Sequence, residues 1–243
     1  MGKTILITGA GTGIGAATAR HLAPGNEIIV HYATSQAAAE RVAADVRGAG
    51  GSAQLVCADL ATETGCAALA EFAARQGGKL DVLVNNAGGL IRRHAARDLP
   101  WQLMQDIFAL NAFSAMRMSS LCVPLLERGE QSCIINVTSI AIRHGAPTAT
   151  IYGAAKGALD TFTRGLAKEL APAIRVNAVA PGVIETPFHE KVTTPEKMAQ
   201  FRAAAPLQRN GRAEEIATAI AFLIDNLFIT GATIDVNGGM FMC

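Results

Sequence analysis

Charge is scarce in this chain. Only 17% of its 243 residues are Asp, Glu, Lys or Arg, and 21 basic residues meet 20 acidic ones. A near-neutral chain has no general field to draw nucleic acid or an anionic membrane surface, so neither partner is expected. Low hydrophobicity is lacking too: half the residues are apolar, which excludes intrinsic disorder of the whole chain. There is no charge block, linker, low-complexity tract or solenoid-length repeat. Near the start, Ile5-Leu6-Ile7 is too short for a signal peptide or a membrane span. Leu6 stands where N-myristoylation needs Ser or Thr, and Cys243 is the final residue, unlike a prenylated cysteine. The five cysteines (Cys57, Cys66, Cys122, Cys133 and Cys243) show no CxxC spacing. They read as reduced thiols of a cytoplasmic protein, with neither a disulfide framework nor a metal site expected.

What is present is alternation. Strand-like runs are expected at Lys3–Thr8, Glu27–His31, Gln54–Ala58, Asp81–Asn85, Ser132–Thr138, Arg175–Ala180 and Ala232–Val236. Helical stretches fall between them at Gly13–Ala23, Ala37–Arg47, Thr64–Gln76, Trp101–Leu126 (one helix or two), Ile151–Leu170 and Ala213–Ile224. Runs such as Ile28-Ile29-Val30 and Val82-Leu83-Val84 are apolar throughout, as in strands buried on both faces. Repeated strand–helix units imply right-handed crossovers. The expected fold is therefore α/β: one Rossmann-type domain over 1–243, a doubly wound, mostly parallel sheet of about seven strands with helices on both faces. Gly182–Pro206, with three prolines, is the least regular segment and reads as a substrate loop or lid.

Thr8-Gly9-Ala10-Gly11-Thr12-Gly13-Ile14-Gly15 joins the first strand to the first helix. Glycines there let the backbone turn sharply and approach a pyrophosphate, and the helix start offers N–H groups to it. Asp59 ends the third strand, at the edge where such sheets bind ligands; it also suits a helix cap. Asn85-Asn86-Ala87-Gly88 ends the fourth strand at the same edge, leaving room for an adenosine. Tyr152 and Lys156 are one helical turn apart on one face. A nearby ammonium lowers a phenol's pKa, which makes Tyr a usable acid/base near neutrality. Ser139, ending the fifth strand, faces the same crevice and can bond a substrate oxygen. Each piece alone is commonplace: a tight turn, a packed Tyr, a solvated Lys.

Together, with Asn111 and Pro181-Gly182, they resemble the short-chain dehydrogenase/reductase family across nearly the whole chain. The resemblance implies hydride transfer between a nicotinamide dinucleotide and an alcohol–carbonyl pair. It makes Tyr152 the general acid/base, with Ser139 orienting the substrate oxygen. Lys156 would tune Tyr152 and hold the nicotinamide ribose, and Asn111 would hold a water in a proton relay. The implied cofactor contacts are Gly9, Gly11, Thr12, Gly13, Ile14, Gly15, Thr34, Ser35, Asp59, Leu60, Asn86, Ala87, Gly88, Tyr152, Lys156, Pro181, Gly182, Ile184 and Thr186. A homotetramer is also implied.

Ala33 stands where the family's NAD-selective acid is commonly found, and Thr34 and Ser35 can meet a phosphate, so NADP(H) is favoured, with NAD(H) the alternative. The partner is a small carbonyl or alcohol. Ala180–Thr186 and Asn237-Gly238-Gly239 resemble the 3-oxoacyl-carrier-protein reductase branch; Gly88–Arg92 and Thr186–His189 resemble a subgroup acting on sugars or sugar acids. A non-catalytic dinucleotide sensor is the reading from another class. Arg92, Arg93, His94, Arg143, His144, His189 and Lys191 give the expected pocket rim a basic excess, suited to an anion or to solvated surface.

Overall fold

A computed structural model describes residues 2–190 and 192–242. Lys191 and Cys243, singled out above, lie outside them. Seven strands form one sheet: β1 (Thr4–Ile7), β2 (Glu27–Tyr32), β3 (Ser52–Cys57), β4 (Val82–Asn85), β5 (Cys133–Val137), β6 (Arg175–Pro181) and β7 (Thr233–Val236). Their order is β3-β2-β1-β4-β5-β6-β7, and every pairing is parallel. The order reverses between β1 and β4, where Ile7 lies beside Val30 on one side and Val84 on the other. Ligands of such sheets bind outside the strand C-termini at this reversal.

Strand periodicity sorts the core. Ile5 and Ile7 of β1 pack with α1 (Gly13–His21), α2 (Gln36–Gly48) and α10 (Ala213–Asp225) on one face; Leu6 packs with α3 (Glu63–Arg75), α5 (Ser114–Leu126) and α7 (Thr150–Leu170) on the other. Each such Ile or Leu, fully removed from water, contributes about 1.5–3 kcal/mol. Runs apolar at every position therefore mark the central strands. The edge strands β3 and β7 are only partly buried. Asp81 locks the N-terminal edge: its carboxylate, 2% exposed, accepts 2.7 Å bonds from the backbone N–H groups of Thr4 and Glu130.

Trp101–Leu126, expected as one helix or two, is one unbroken helical stretch: α4 (Trp101–Phe108) passes through a π turn at Ala109–Phe113 directly into α5, and the π turn is the feature not expected. That segment is also long and apolar enough to cross a membrane by length and composition, but half of it is buried in the domain. A second expectation is corrected. Gly182–Pro206 is more regular than its prolines suggest. It holds α8 (Pro187–Glu190) and α9 (Pro195–Ala204). Pro195 sits at the first helical position, where its missing N–H costs nothing, and Thr194 caps it by accepting from the Lys197 N–H. Pro187 and Pro195 are start signals, and Pro206 follows the end of α9. Two further short elements, a 3₁₀ turn at Ala96–Asp98 and α6 (Ala141–His144), carry no distinct sequence pattern.

Candidate active site

The strand C-termini open into a cavity of about 1000 Å³, at the upper end of small-molecule sites. At its floor the β1–α1 turn takes its shape from Gly9, whose φ of 64° lies in the left-handed region. Gly15 is there for close approach: a Cβ would sit 2.4 Å from the Gly9 carbonyl oxygen. Thr12 makes no side-chain cap at the start of α1, where Thr12, Gly13 and Ile14 line the cavity. Asn86 fastens the turn from across the sheet, its Nδ2 donating to the Thr8 and Gly9 carbonyls at 2.8 and 3.1 Å. Thr8 Oγ1 accepts in return from the Asn86 and Ala87 N–H groups. Behind it, Asn85 Nδ2 donates to Asn136 Oδ1, and Asn136 Nδ2 to Thr163 Oγ1, both at 2.9 Å, tying β4 to β5 and α7.

One residue of this floor escapes the sequence reading. His31, on β2 and buried, accepts from the Gly9 N–H through Nδ1 (2.9 Å) and meets the Ala58 carbonyl through Nε2 (3.0 Å). Those partners fix the neutral tautomer with the proton on Nε2, and burial holds its pKa below the ordinary value. Nothing local announces this, because the partners lie 22 and 27 residues away.

Most of the expected cofactor contacts line the cavity: Gly9, Thr12, Gly13, Ile14, Thr34, Ser35, Asp59, Leu60, Asn86, Ala87, Gly88, Pro181, Gly182, Ile184 and Thr186. Gly11 and Gly15 do not line it; Gly11 lies against the Ser35 hydroxyl. Asp59 is not the cap of α3. Thr62 is, accepting from Gly65, while Asp59 Oδ1 accepts from the Ala61 N–H.

Ser139, Tyr152 and Lys156 converge on the cavity. Ser139 Oγ accepts from the Ala141 N–H (3.1 Å) and is hydrogen-bonded to the Tyr152 hydroxyl. The Tyr152 ring packs against Phe188 of α8, centroids 6.1 Å apart. Lys156, 3% exposed, donates from Nζ to the Val137 carbonyl at 2.8 Å. Burial pushes its pKa down to about 8. Burial likewise pushes the Tyr152 phenol up, against the pull of the Ser139 bond. The expected phenol lowered by a neighbouring ammonium is not what is found: its direction is up, because desolvation outweighs the one opposing influence, the Ser139 bond.

Asn111 lies in the π turn, fully buried and behind the cavity wall. Its Nδ2 donates to the Gly89 and Ile107 carbonyls (2.8 and 2.9 Å), and its Oδ1 accepts from the Gly89 N–H. The amide thus clamps the Gly88–Gly89 loop; a Cβ on Gly88 would stand 2.8 Å from Asn111 Oδ1 and 3.1 Å from Lys156 Nζ. Of the basic rim, Arg93, His144 and His189 line the cavity, joined by Lys197. Arg143 does not; both arms of its guanidinium hold Asp235, linking α6 to β7. Arg92 and His94 do not line it either.

Comparison with known proteins agrees with this layout. A family model described as enoyl-(acyl carrier protein) reductase matches residues 9–241. A 3-oxoacyl-[acyl-carrier-protein] reductase of Synechocystis sp. is 39% identical over 99% of this chain and 97% of its own. Among solved structures, an NADH-dependent reductase A1-R′ described as responsible for alginate metabolism superposes with a TM-score of 0.91 at 31% identity, covering 100% of this chain and 98% of its own. The angucycline C-6 ketoreductase LanV with bound NADP gives 0.90 at 32% identity, over 98% and 95%.

Proposed function

The chain belongs to the short-chain dehydrogenase/reductase family, oxidoreductases of carbonyl and CH–OH groups, and from that premise we propose that it reduces a small carbonyl compound with NADPH, Tyr152 supplying the proton. The observation that carries the reading is the convergence of Ser139, Tyr152 and Lys156 on one cavity with the glycine turn.

The chain's own groups suit a nicotinamide dinucleotide. The uncapped start of α1 and the turn at Gly9–Gly15 make a cradle for a pyrophosphate. Asp59 and Leu60 would flank the adenosine end, and Lys156, Pro181, Ile184 and Thr186, which line the same cavity, the nicotinamide end. When bound, the cofactor supplies the hydride. Ser139 Oγ holds the substrate oxygen beside the Tyr152 hydroxyl and stabilises charge developing there. The raised phenol is fully protonated at neutral pH, ready to act as the acid. Lys156 places a positive charge near the phenolate left behind. Asn111 acts by holding Gly88 and Gly89 in place; a water relay through Lys156 belongs to the same reading.

Phosphate preference rests on the end of β2, where Ala33, Thr34 and Ser35, none of them acidic, line the cavity. NADPH is expected to exceed NADH in kcat/KM by tenfold or more, about 1.4 kcal/mol. Ala33→Asp is expected to reverse that order, by repelling the phosphate and pairing with ribose hydroxyls. A wild-type preference for NADH contradicts the assignment.

The substrate is identified by assay. The purified protein is given NADPH or NADH with a 3-oxoacyl thioester, keto sugars, keto acids and a quinone. Turnover of the thioester supports the carrier-protein branch. Turnover of a sugar or sugar acid supports the second reading, which the likeness to the alginate-linked reductase favours. Cofactor binding with no turnover across the panel supports a sensor instead. Exposed Trp101, Phe113, Phe222, Leu227 and Phe228 suit burial in a homotetramer, and the free thiols suit the cytoplasm. A sedimentation mass near 25 kDa contradicts the tetramer.

A further inference from the structure

The substrate end of the cavity carries positive charge with no negative charge to meet it. Arg93, from the loop between β4 and α4, lines it, as does Lys197 of α9. Among the described residues, Asp59 is the one acidic side chain in the lining, and it stands at the opposite end beyond β3. Arg93 forms none of the ion pairs among those residues. Its Nε donates to the Val192 carbonyl at 3.1 Å, and Nη1 reaches Thr148 Oγ1 only at 3.5 Å. The charge is permanent at any working pH.

A line of contacts ties Arg93 to the reacting end. Phe188 packs on Tyr152 and, at 5.0 Å, on His189. Burial, with the nearby Arg93 charge as the smaller cause, lowers the His189 pKa to about 4. His189 is therefore neutral at pH 7, its Nδ1 engaged with Thr193 Oγ1, and adds no charge of its own. The two loops that hold Arg93 are also strained. Ile91 (φ 51°), Ala146 (44°) and Thr148 (66°) all lie in the left-handed region, which β-branched residues in particular avoid. Such strain persists where the surroundings over-determine a conformation, commonly around ligands.

We propose that Arg93 anchors an anionic group, a carboxylate or phosphate, carried by the substrate itself. The Val192 carbonyl holds Nε, which leaves Nη2, and Nη1 beside its long contact to Thr148, to meet the anion. The inference rests on the carbonyl-reductase reading of the site. It narrows that reading to substrates with a negative charge beyond the carbonyl.

The test uses matched probes that differ in charge: levulinate against methyl levulinate, and dihydroxyacetone phosphate against dihydroxyacetone. Each is titrated calorimetrically into the protein saturated with NADP⁺, which fills the cofactor's own phosphate site and prevents reduction. The same titrations are run without cofactor. Failure to bind NADP⁺ then counts against the proposed function and leaves Arg93 separately measured. In at least one pair the anion is expected to bind tenfold tighter or more. Arg93→Ala brings it to the level of its neutral partner, and Arg93→Lys keeps part of the preference. Both variants bind NADP⁺ as the wild type does. A preference in the first pair alone assigns a carboxylate, and in the second alone a phosphate. Equal affinities in both pairs, a preference that survives Arg93→Ala, or no measurable binding of either anion overturns the proposal.

Discussion

Tyr152→Phe is expected to lower kcat by about 10²–10⁴-fold, the range of a lost general acid, while cofactor affinity and Tm stay near wild type. The ring is retained, so its packing on Phe188 survives. What is lost is one hydroxyl and its bond to Ser139, which keeps the Ala141 N–H as a partner. Steady-state kinetics beside a calorimetric titration with NADPH separate the two effects. Activity within threefold of wild type removes Tyr152 from the proton-transfer role. A comparable fall in NADPH affinity makes it a structural residue instead.

Lys156→Met is expected to move activity and stability in opposite directions. Activity falls by at least 10²-fold, because the phenolate loses its neighbouring charge. Stability of the cofactor-free protein rises at pH 7. Lys156 is buried with one carbonyl as its partner, and burial lowers its pKa from 10.5 to about 8. Below pH 8 both folded and unfolded chains hold the proton, so the full penalty of a buried ammonium falls on the folded state. Between pH 8 and 10.5 the unfolded chain binds more protons, and this group's contribution to stability rises with pH. A gap of that size corresponds to about 3 kcal/mol, an upper figure because the Val137 bond and the packed stem offset part of it. Methionine keeps the stem's volume and removes the charge. Thermal denaturation at pH 7 and pH 10 checks this: the variant gains most over wild type at pH 7, and the gap narrows at pH 10. A destabilised variant at pH 7, or a gap that widens with pH, contradicts the account.

The sheet was legible because its signal is local and repeated: short apolar runs such as Ile5-Leu6-Ile7, Ile28-Ile29-Val30 and Val82-Leu83-Val84 alternate with alanine-rich helices. Most of the candidate catalytic and cofactor positions that line the cavity were legible as neighbours for a similar reason, since they follow the end of a strand or lie one turn apart on α7; Asn111, in the π turn, is not among them. What could not be read depends on contacts between distant segments. His31 looks like any strand residue until Gly9 and Ala58 are brought to it. Arg143 and Arg93 are both basic residues of expected pocket loops. Only the fold turns one onto Asp235 and the other into the cavity. The Tyr152 pKa was misjudged because spacing reveals a neighbouring charge but not the loss of water around it. The π turn carries Asn111, whose clamp on Gly89 is a contact across 22 residues.

The most direct measurement follows the hydride. NADPH carrying deuterium at the transferred position is supplied with the carbonyl compound the protein turns over, and the alcohol is analysed by mass spectrometry. One deuterium per molecule, on the carbinol carbon and in a single configuration, is the predicted result, with its rate abolished in step with activity by Tyr152→Phe. Alcohol without the label, or label lost to solvent, contradicts direct hydride transfer in this site.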